Sequence, residues 1–167
     1  EENVFWSLAP HDISIFQYLT ESKPIKITST GAAFLQNDIH DTTLTVLEYQ
    51  GNIMGHIFVS WLHPFKDHRL MVIGSQGMIS FEDSTEKKPL QLYSKSYDMS
   101  GEFPEKKDGP VKMIQYGNKM PLTAELEYFI QHLDGSPLKI ANGENAVDVV
   151  NILVQASESL KKGVPVE

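Results

Sequence analysis

The 167-residue chain contains no cysteine and a single arginine, Arg69. Without thiols it forms no disulfides, offers no thiolate nucleophile and builds no cysteine-ligated zinc site. With one guanidinium and a net charge of -8 it has no basic stripe able to neutralise successive phosphates, which argues against nucleic acid as a partner. No apolar run approaches the roughly 18 to 20 residues that span a bilayer. The chain opens on Glu1-Glu2-Asn3, not on a basic stretch leading into an apolar one. Neither a G-x-G-x-x-G fingerprint nor a Walker sequence is present. These absences lead to the expectation of a cytoplasmic protein that meets neither membrane nor nucleic acid and cannot cradle a dinucleotide.

What is there reads as an ordinary globular chain, 41% hydrophobic and 22% charged. The length suits one domain over residues 1–167. Ile13, Phe16 and Leu19 follow helical spacing from Pro10 to about Glu21, where Ser22-Lys23-Pro24 ends the run. Ile25 to Ala33 reads as a strand. Asp41 to Tyr49 and Ile53 to Trp61 form a hairpin across the turn signal Gln50-Gly51-Asn52. A second hairpin joins Arg69 to Ile73 with Met78 to Phe81 across Gly74-Ser75-Gln76-Gly77, and weaker strands fall at Leu90 to Ser96 and Val111 to Tyr116. Residues 97–110 read as a charged, mobile surface loop. Two helices close the pattern. One opens at Pro121 with Leu122, Leu126, Phe129, Ile130 and Leu133 on a stripe. The other starts near Gly143 with Ala146, Val150, Leu153 and Leu160. Both are expected to cover the core.

The fold class is therefore α+β, an open and mainly antiparallel sheet with helices packed on one face. Along Ile53 to Trp61 both faces are substantially apolar. An antiparallel sheet with one solvated face shows polar alternation. Helices on one side and a second subunit on the other would account for the difference, so a homo-oligomer built through the sheet face is expected.

Two places carry groups suited to chemistry. Pro10 fits the first position of a helix, which puts His11 and Asp12 in its first turn. The positive end of the helix dipole favours an ionised Asp12 and a neutral imidazole, which can act as a base near pH 7. The same pattern also describes a plain helix start whose polar residues cap and solvate. Trp61 to Arg69 joins two strands and gathers an indole, His63 and Lys66, able to meet a sugar ring and an anionic group; it also reads as a solvated connection. His11-Asp12 and His40-Asp41 repeat a dyad used by metal-dependent phosphohydrolases. The second leads into a strand, unlike the all-helical bundle that those enzymes need, so no metal site is assigned.

Taken in order, Val4-Phe5-Trp6-Ser7-Leu8-Ala9-Pro10-His11-Asp12-Ile13, Ser60-Trp61 to Pro64, Arg69-Leu70 to Gly77-Met78, and Pro121 to Phe129 resemble the C-terminal domain of the glucose-fructose oxidoreductase and inositol dehydrogenase (Gfo/Idh/MocA) family. Asn142 to Ala146 and Ala156 to Leu160 fit it as well. The resemblance implies an open sheet like that of the C-terminal domain of glyceraldehyde-3-phosphate dehydrogenase. It also implies oxidation or reduction of a sugar or cyclitol hydroxyl with NAD or NADP. The family's D-x-x-x-H pattern maps its His onto His11 as the catalytic residue and its Asp onto Ser7, a departure that removes a carboxylate. Ser7, Asp12, Trp61, His63 and Lys66 are then the substrate-binding candidates, and the Ala9-Pro10-His11-Asp12 variant is most similar to members that work on nucleotide sugars.

In the family a nucleotide-binding Rossmann half, with a Glu-Lys-Pro catalytic lysine motif, precedes the His helix. Ser22-Lys23-Pro24 follows it and is not assigned that role. The chain is thus expected to be one half of a two-domain oxidoreductase, with its cofactor held mainly by the other half and no turnover alone. The alternative is a stand-alone, non-catalytic sugar-binding or scaffold module.

Overall fold

The computed structural model describes residues 3–166. In chain order the elements are helices α1 (Val4–Leu8) and α2 (Pro10–Thr20), strands β1 (Lys26–Ala32), β2 (Thr42–Tyr49), β3 (Ile53–Ser60), β4 (Arg69–Gly74), β5 (Gly77–Glu82), β6 (Leu90–Tyr93), β7 (Ser96–Asp98), β8 (Glu105–Lys107) and β9 (Val111–Met113), then helices α3 (Pro121–Gln131) and α4 (Gly143–Lys162). They fall into two compact units, residues 1–62 with 131–167, and residues 63–130. Every strand pair is antiparallel. Among the described residues no helix is long and apolar enough to cross a membrane.

The first unit is a three-stranded sheet, β1-β2-β3, with α1, α2 and α4 supplying the other half of its core. Period-two alternation sorts the side chains. Thr43, Thr45, Leu47 and Tyr49 of β2 point inward with Ile57 and Val59 of β3, whereas Leu44, Met54 and Phe58 face outward and are exposed. At Gly55 a helix side chain lies close against the sheet. A Cβ there would stand 2.4 Å from the Phe16 ring of α2, so only glycine lets that ring lie on β3. The expected turn closes the hairpin, with Gly51 and Asn52 both at positive φ and Tyr49 paired with Ile53.

A polar seam joins α4 to the sheet. Ser159 Oγ accepts from the Ser29 N–H at 2.9 Å and donates to the Val164 carbonyl at 2.8 Å, while the Ser29 and Thr45 hydroxyls meet at 2.8 Å. Ser159 and a reciprocal backbone pair between Ile27 and Val166 therefore close the outer edge of β1. Asn142 and Asn145 form a capping box at the start of α4, and Gly163 ends the helix at φ 66°. Its buried stripe is Ile152, Leu153, Ala156 and Ser159; the expected Ala146 and Val150 are exposed.

The second unit is the sheet β4-β5-β6-β9 with a separate ribbon, β7-β8. The ribbon corrects the reading of residues 97–110 as loop alone. Its charges are paired across the turn, with Lys107 on Asp98 at 2.6 Å, and a pairing between residues about nine apart leaves no periodic trace in so short a segment. Lys107 and Ser100 hold the Asp98 carboxyl down to about 2. A second correction concerns α3, which buries none of its residues and so does not cover the core.

Asp41 shows how the first unit holds its loop. It is buried, its Oδ2 accepts the Phe34 and Leu35 N–H groups at 2.6 and 2.8 Å, and its backbone bonds Ala32 and Trp61. Asp41→Ala leaves two N–H groups without their charged acceptor, and urea denaturation should show a loss of about 2–4 kcal/mol. A loss under about 0.5 kcal/mol, the scale of an ordinary surface substitution, would mean that the carboxylate does not anchor the loop.

Candidate functional site

Ser7 and His11 belong to one nearly continuous helical run. Asn3 caps α1 by accepting from the Phe5 and Trp6 N–H groups at 3.0 and 3.3 Å. Ala9, between the two helices, keeps right-handed helical angles, φ -77° and ψ -15°. The Ala9 N–H reaches the Phe5 carbonyl at 2.9 Å and the Ile13 N–H reaches the Ala9 carbonyl at 3.0 Å, so bonds to and from Ala9 link the two helices across Pro10. Pro10 takes the first position of α2 with His11 and Asp12 in its first turn, as the sequence suggests, and the short α1 runs up to it with Ala9 between.

The run has two sides. Phe5, Ala9 and Ile13 are fully buried at i, i+4 and i+8. Ser7 and His11, one turn apart, are exposed on the other side with Ser14 and Tyr18, and Asp12 is half-buried at the flank. The buried stripe fixes the rotation of the helix, and the rotation aims Ser7 and His11 at solvent. Trp6 locks it further: its indole N–H donates to Ser157 Oγ of α4 at 2.8 Å, and that hydroxyl donates to the Leu153 carbonyl. Trp6 is a positioning residue that the sequence reading left unassigned. Its adjacency to Ser7 was the available signal.

The other candidates lie on different elements. Trp61 follows β3, its N–H held at 2.9 Å by the Asp41 carbonyl and its side chain partly exposed. His40-Asp41 is explained by structure: the Asp41 carboxylate anchors backbone, and the His40 carbonyl accepts the Val4 N–H at 2.9 Å. No group of three His, Asp or Glu side chains able to hold a metal occurs among the described residues.

His63 and Lys66 belong to the second unit. The His63 ring meets Phe65 edge-on, with centroids 5.3 Å apart. Lys66 is committed to Asp83 at 3.2 Å. Asp83 is a hub, also bound by Lys88 at 2.6 Å and His68 Nδ1 at 3.2 Å. Lys88, His68 and Lys66 hold its carboxyl well below the usual carboxylate range. Beside it Arg69 Nε donates to Glu82 at 2.7 Å. This acid-base cluster pins the segment before β4 to the end of β5. Gly74 and Gly77 flank a tight turn between antiparallel strands, with no helix N-terminus to receive a pyrophosphate.

A family model described as the GFO/IDH/MocA C-terminal domain matches residues 1–80. Among solved structures, the UDP-N-acetylglucosamine 3-dehydrogenase GnnA of Acidithiobacillus ferrooxidans is similar with a TM-score of 0.80 at 15% identity, over 96% of this chain and 48% of that one. The aldose-aldose oxidoreductase of Caulobacter crescentus is similar with a TM-score of 0.78 at 12% identity, covering 99% and 48%. The WlbA dehydrogenase of Bordetella pertussis, solved with NADH and UDP-GlcNAcA, gives 0.71 at 14% identity, covering 99% and 46%. The chain spans about half the length of these structures. No curated protein matches the sequence.

The Asp83 hub makes a direct prediction. Because its pKa is lowered in the folded protein, the hub's contribution is complete above the unfolded value of about 3.9 and fades only as pH falls through the lower, folded one. Carboxyl NMR of Asp83 should show no titration between pH 7 and 4. Titration near the ordinary value would mean that Lys66 is not held by Asp83.

Proposed function

We propose, on the premise that this chain carries the C-terminal-domain fold of the Gfo/Idh/MocA oxidoreductases and their family match over residues 1–80, that it is the substrate-binding and oligomerisation domain of an NAD(P)-dependent oxidoreductase acting on a sugar or nucleotide-sugar hydroxyl. The observation that carries this reading is the exposed Ser7 and His11 pair, backed by the buried Phe5, Ala9 and Ile13 stripe. A neutral imidazole has one acceptor nitrogen, which takes the hydroxyl proton, and one donor nitrogen left to orient it. Ser7, a turn earlier, gives and takes hydrogen bonds with a second hydroxyl but adds no charge. Asp12 flanks the pair. Trp61 offers a flat apolar surface to a sugar ring. His63 and Lys66 are the weaker substrate contacts, and Lys66 must share or leave Asp83 to reach an anionic group.

The described residues build no dinucleotide cradle, so no part of the cofactor is assigned to them. NAD(P) belongs with the half of the relatives that this chain does not span, and turnover requires that half. One similar enzyme is a UDP-N-acetylglucosamine 3-dehydrogenase and another was solved with UDP-GlcNAcA, which supports a nucleotide sugar as the substrate class.

In the complete enzyme His11→Asn should lower kcat about 10²- to 10⁴-fold, the range of a general base, with the melting temperature unchanged because the side chain is exposed. Turnover equal to wild type would remove His11 from the reaction. The outward Leu44, Met54 and Phe58 face should bury against a second copy. Light scattering at micromolar concentration should then give a multiple of the 18.8 kDa chain mass, reduced by Phe58→Glu; a monomeric wild type would refute the assembly.

A further inference from the structure

Two neighbouring polar atoms in the core of the first unit are not spent on the protein. Asp41, just before β2, continues its ladder by giving its N–H to Ala32 and accepting from Trp61, so Asp41 and Thr43 share the inward side of the strand. Each is 1% exposed, and α1 packs over the strand. Asp41 Oδ2 takes the Phe34 and Leu35 N–H groups, but Oδ1 takes no bond among the described residues, and the Thr43 hydroxyl neither gives nor receives one there. The next hydroxyl on the same side, Thr45, meets Ser29 at 2.8 Å. Buried hydroxyl groups and above all buried carboxylate oxygens are costly without a partner, so two such atoms side by side mark a place where something else supplies the bonds.

We infer that Asp41 Oδ1 and Thr43 Oγ1 hold a buried water molecule, a site that stands apart from the function proposed above. Residues two apart on a strand are ~6.6 Å from each other along the backbone. One water making two hydrogen bonds of ~2.8 Å spans up to about 5.6 Å, which suits two side chains that do not bond directly. The chemistry is complementary. Oδ1 only accepts, the hydroxyl both gives and accepts, and water can donate to the first while taking or giving a proton at the second. A buried water is satisfied by about two to four polar partners. A divalent cation takes about six or more oxygens, and no group of three His, Asp or Glu side chains stands ready for one among the described residues. The water completes the node from which three exposed side chains hang, because the same Asp41 fixes the backbone of Phe34, Leu35 and Trp61.

The test reads water and stability on the full chain. With methyl-labelled threonine, rotating-frame NOE spectra should show a water contact at the Thr43 methyl and none at the Thr45 methyl, which is as buried but has its hydroxyl on Ser29. The same signal at both methyls, or at neither, would overturn the inference, and the unsubstituted protein decides this without a variant. Thr43→Val keeps the shape and strand preference of the side chain and removes only the hydroxyl. If that hydroxyl holds a water on Asp41, the melting temperature should fall by about 2–4 °C. An unpaired hydroxyl would instead be lost at no cost or with a gain, so an unchanged or higher melting temperature sinks the site. Melting in potassium or sodium chloride should match melting in choline chloride of equal ionic strength. A rise with either metal ion that Thr43→Val abolishes would give the site to a cation and refute the water.

Discussion

The burial of Phe5, Ala9 and Ile13 on one side of a proline-interrupted helical run is the constraint on which the candidate site depends. Three side chains at i, i+4 and i+8 leave the run one rotation about its axis, and the opposite side is then committed to solvent. Pro10 would ordinarily open a new helix at a new angle. Here Ala9 stays in the right-handed helical region, so the stripe survives the junction and Ser7 and His11 share a side. The Trp6 to Ser157 bond holds the same rotation from α4, and Phe16 over Gly55 holds it from the sheet. Core packing and presentation of the imidazole are one arrangement seen from two sides.

The polar groups of the first unit do a related job at the sheet's margin. Ser29, Thr45 and Ser159 are buried hydroxyl groups, and each finds a partner where an apolar residue would leave a β1 N–H unbonded. Asp41 serves the same need for the loop before β2. Desolvation raises the pKa of Tyr49 to about 12, so the phenol stays neutral at any ordinary pH. The core is thus mixed: apolar between helices and sheet, polar along the strand edges.

Much of this was legible in residue order. The Gln50-Gly51-Asn52 turn and the Pro10 helix start are local, and local stereochemistry is written in adjacent residues. The β3 alternation told that both faces of the strand are apolar, without telling which of them the helices cover. Three features were not legible. Asp41 looked like part of a His-Asp dyad because its partners are backbone N–H groups, which every residue has. Residues 97–110 looked like loop because three-residue strands carry too few positions for a period. The α3 stripe looked like core because amphipathicity states that a helix wants a partner without saying which. His11 itself was found from its spacing, but the helical turn ahead of it was not, because Val4 to Leu8 is too short to show one.

The path of the chain has a bearing on its synthesis. The first unit takes its sheet from residues 26–60 and its last helix from residues 143–162, and the Ile27 to Val166 pair closes it at the far end. Residues 63–130 are contiguous. On the ribosome the second unit can complete its hairpins as they emerge, while β1, made early, waits with an open edge until α4 and the residues after it are released. The early hairpin β2-β3 then has α1 and α2 to pack on but lacks α4 for the time taken to add about a hundred residues. Chaperone demand should concentrate in that interval, and a ribosome stalled before α4 would present the most adhesive form of the protein.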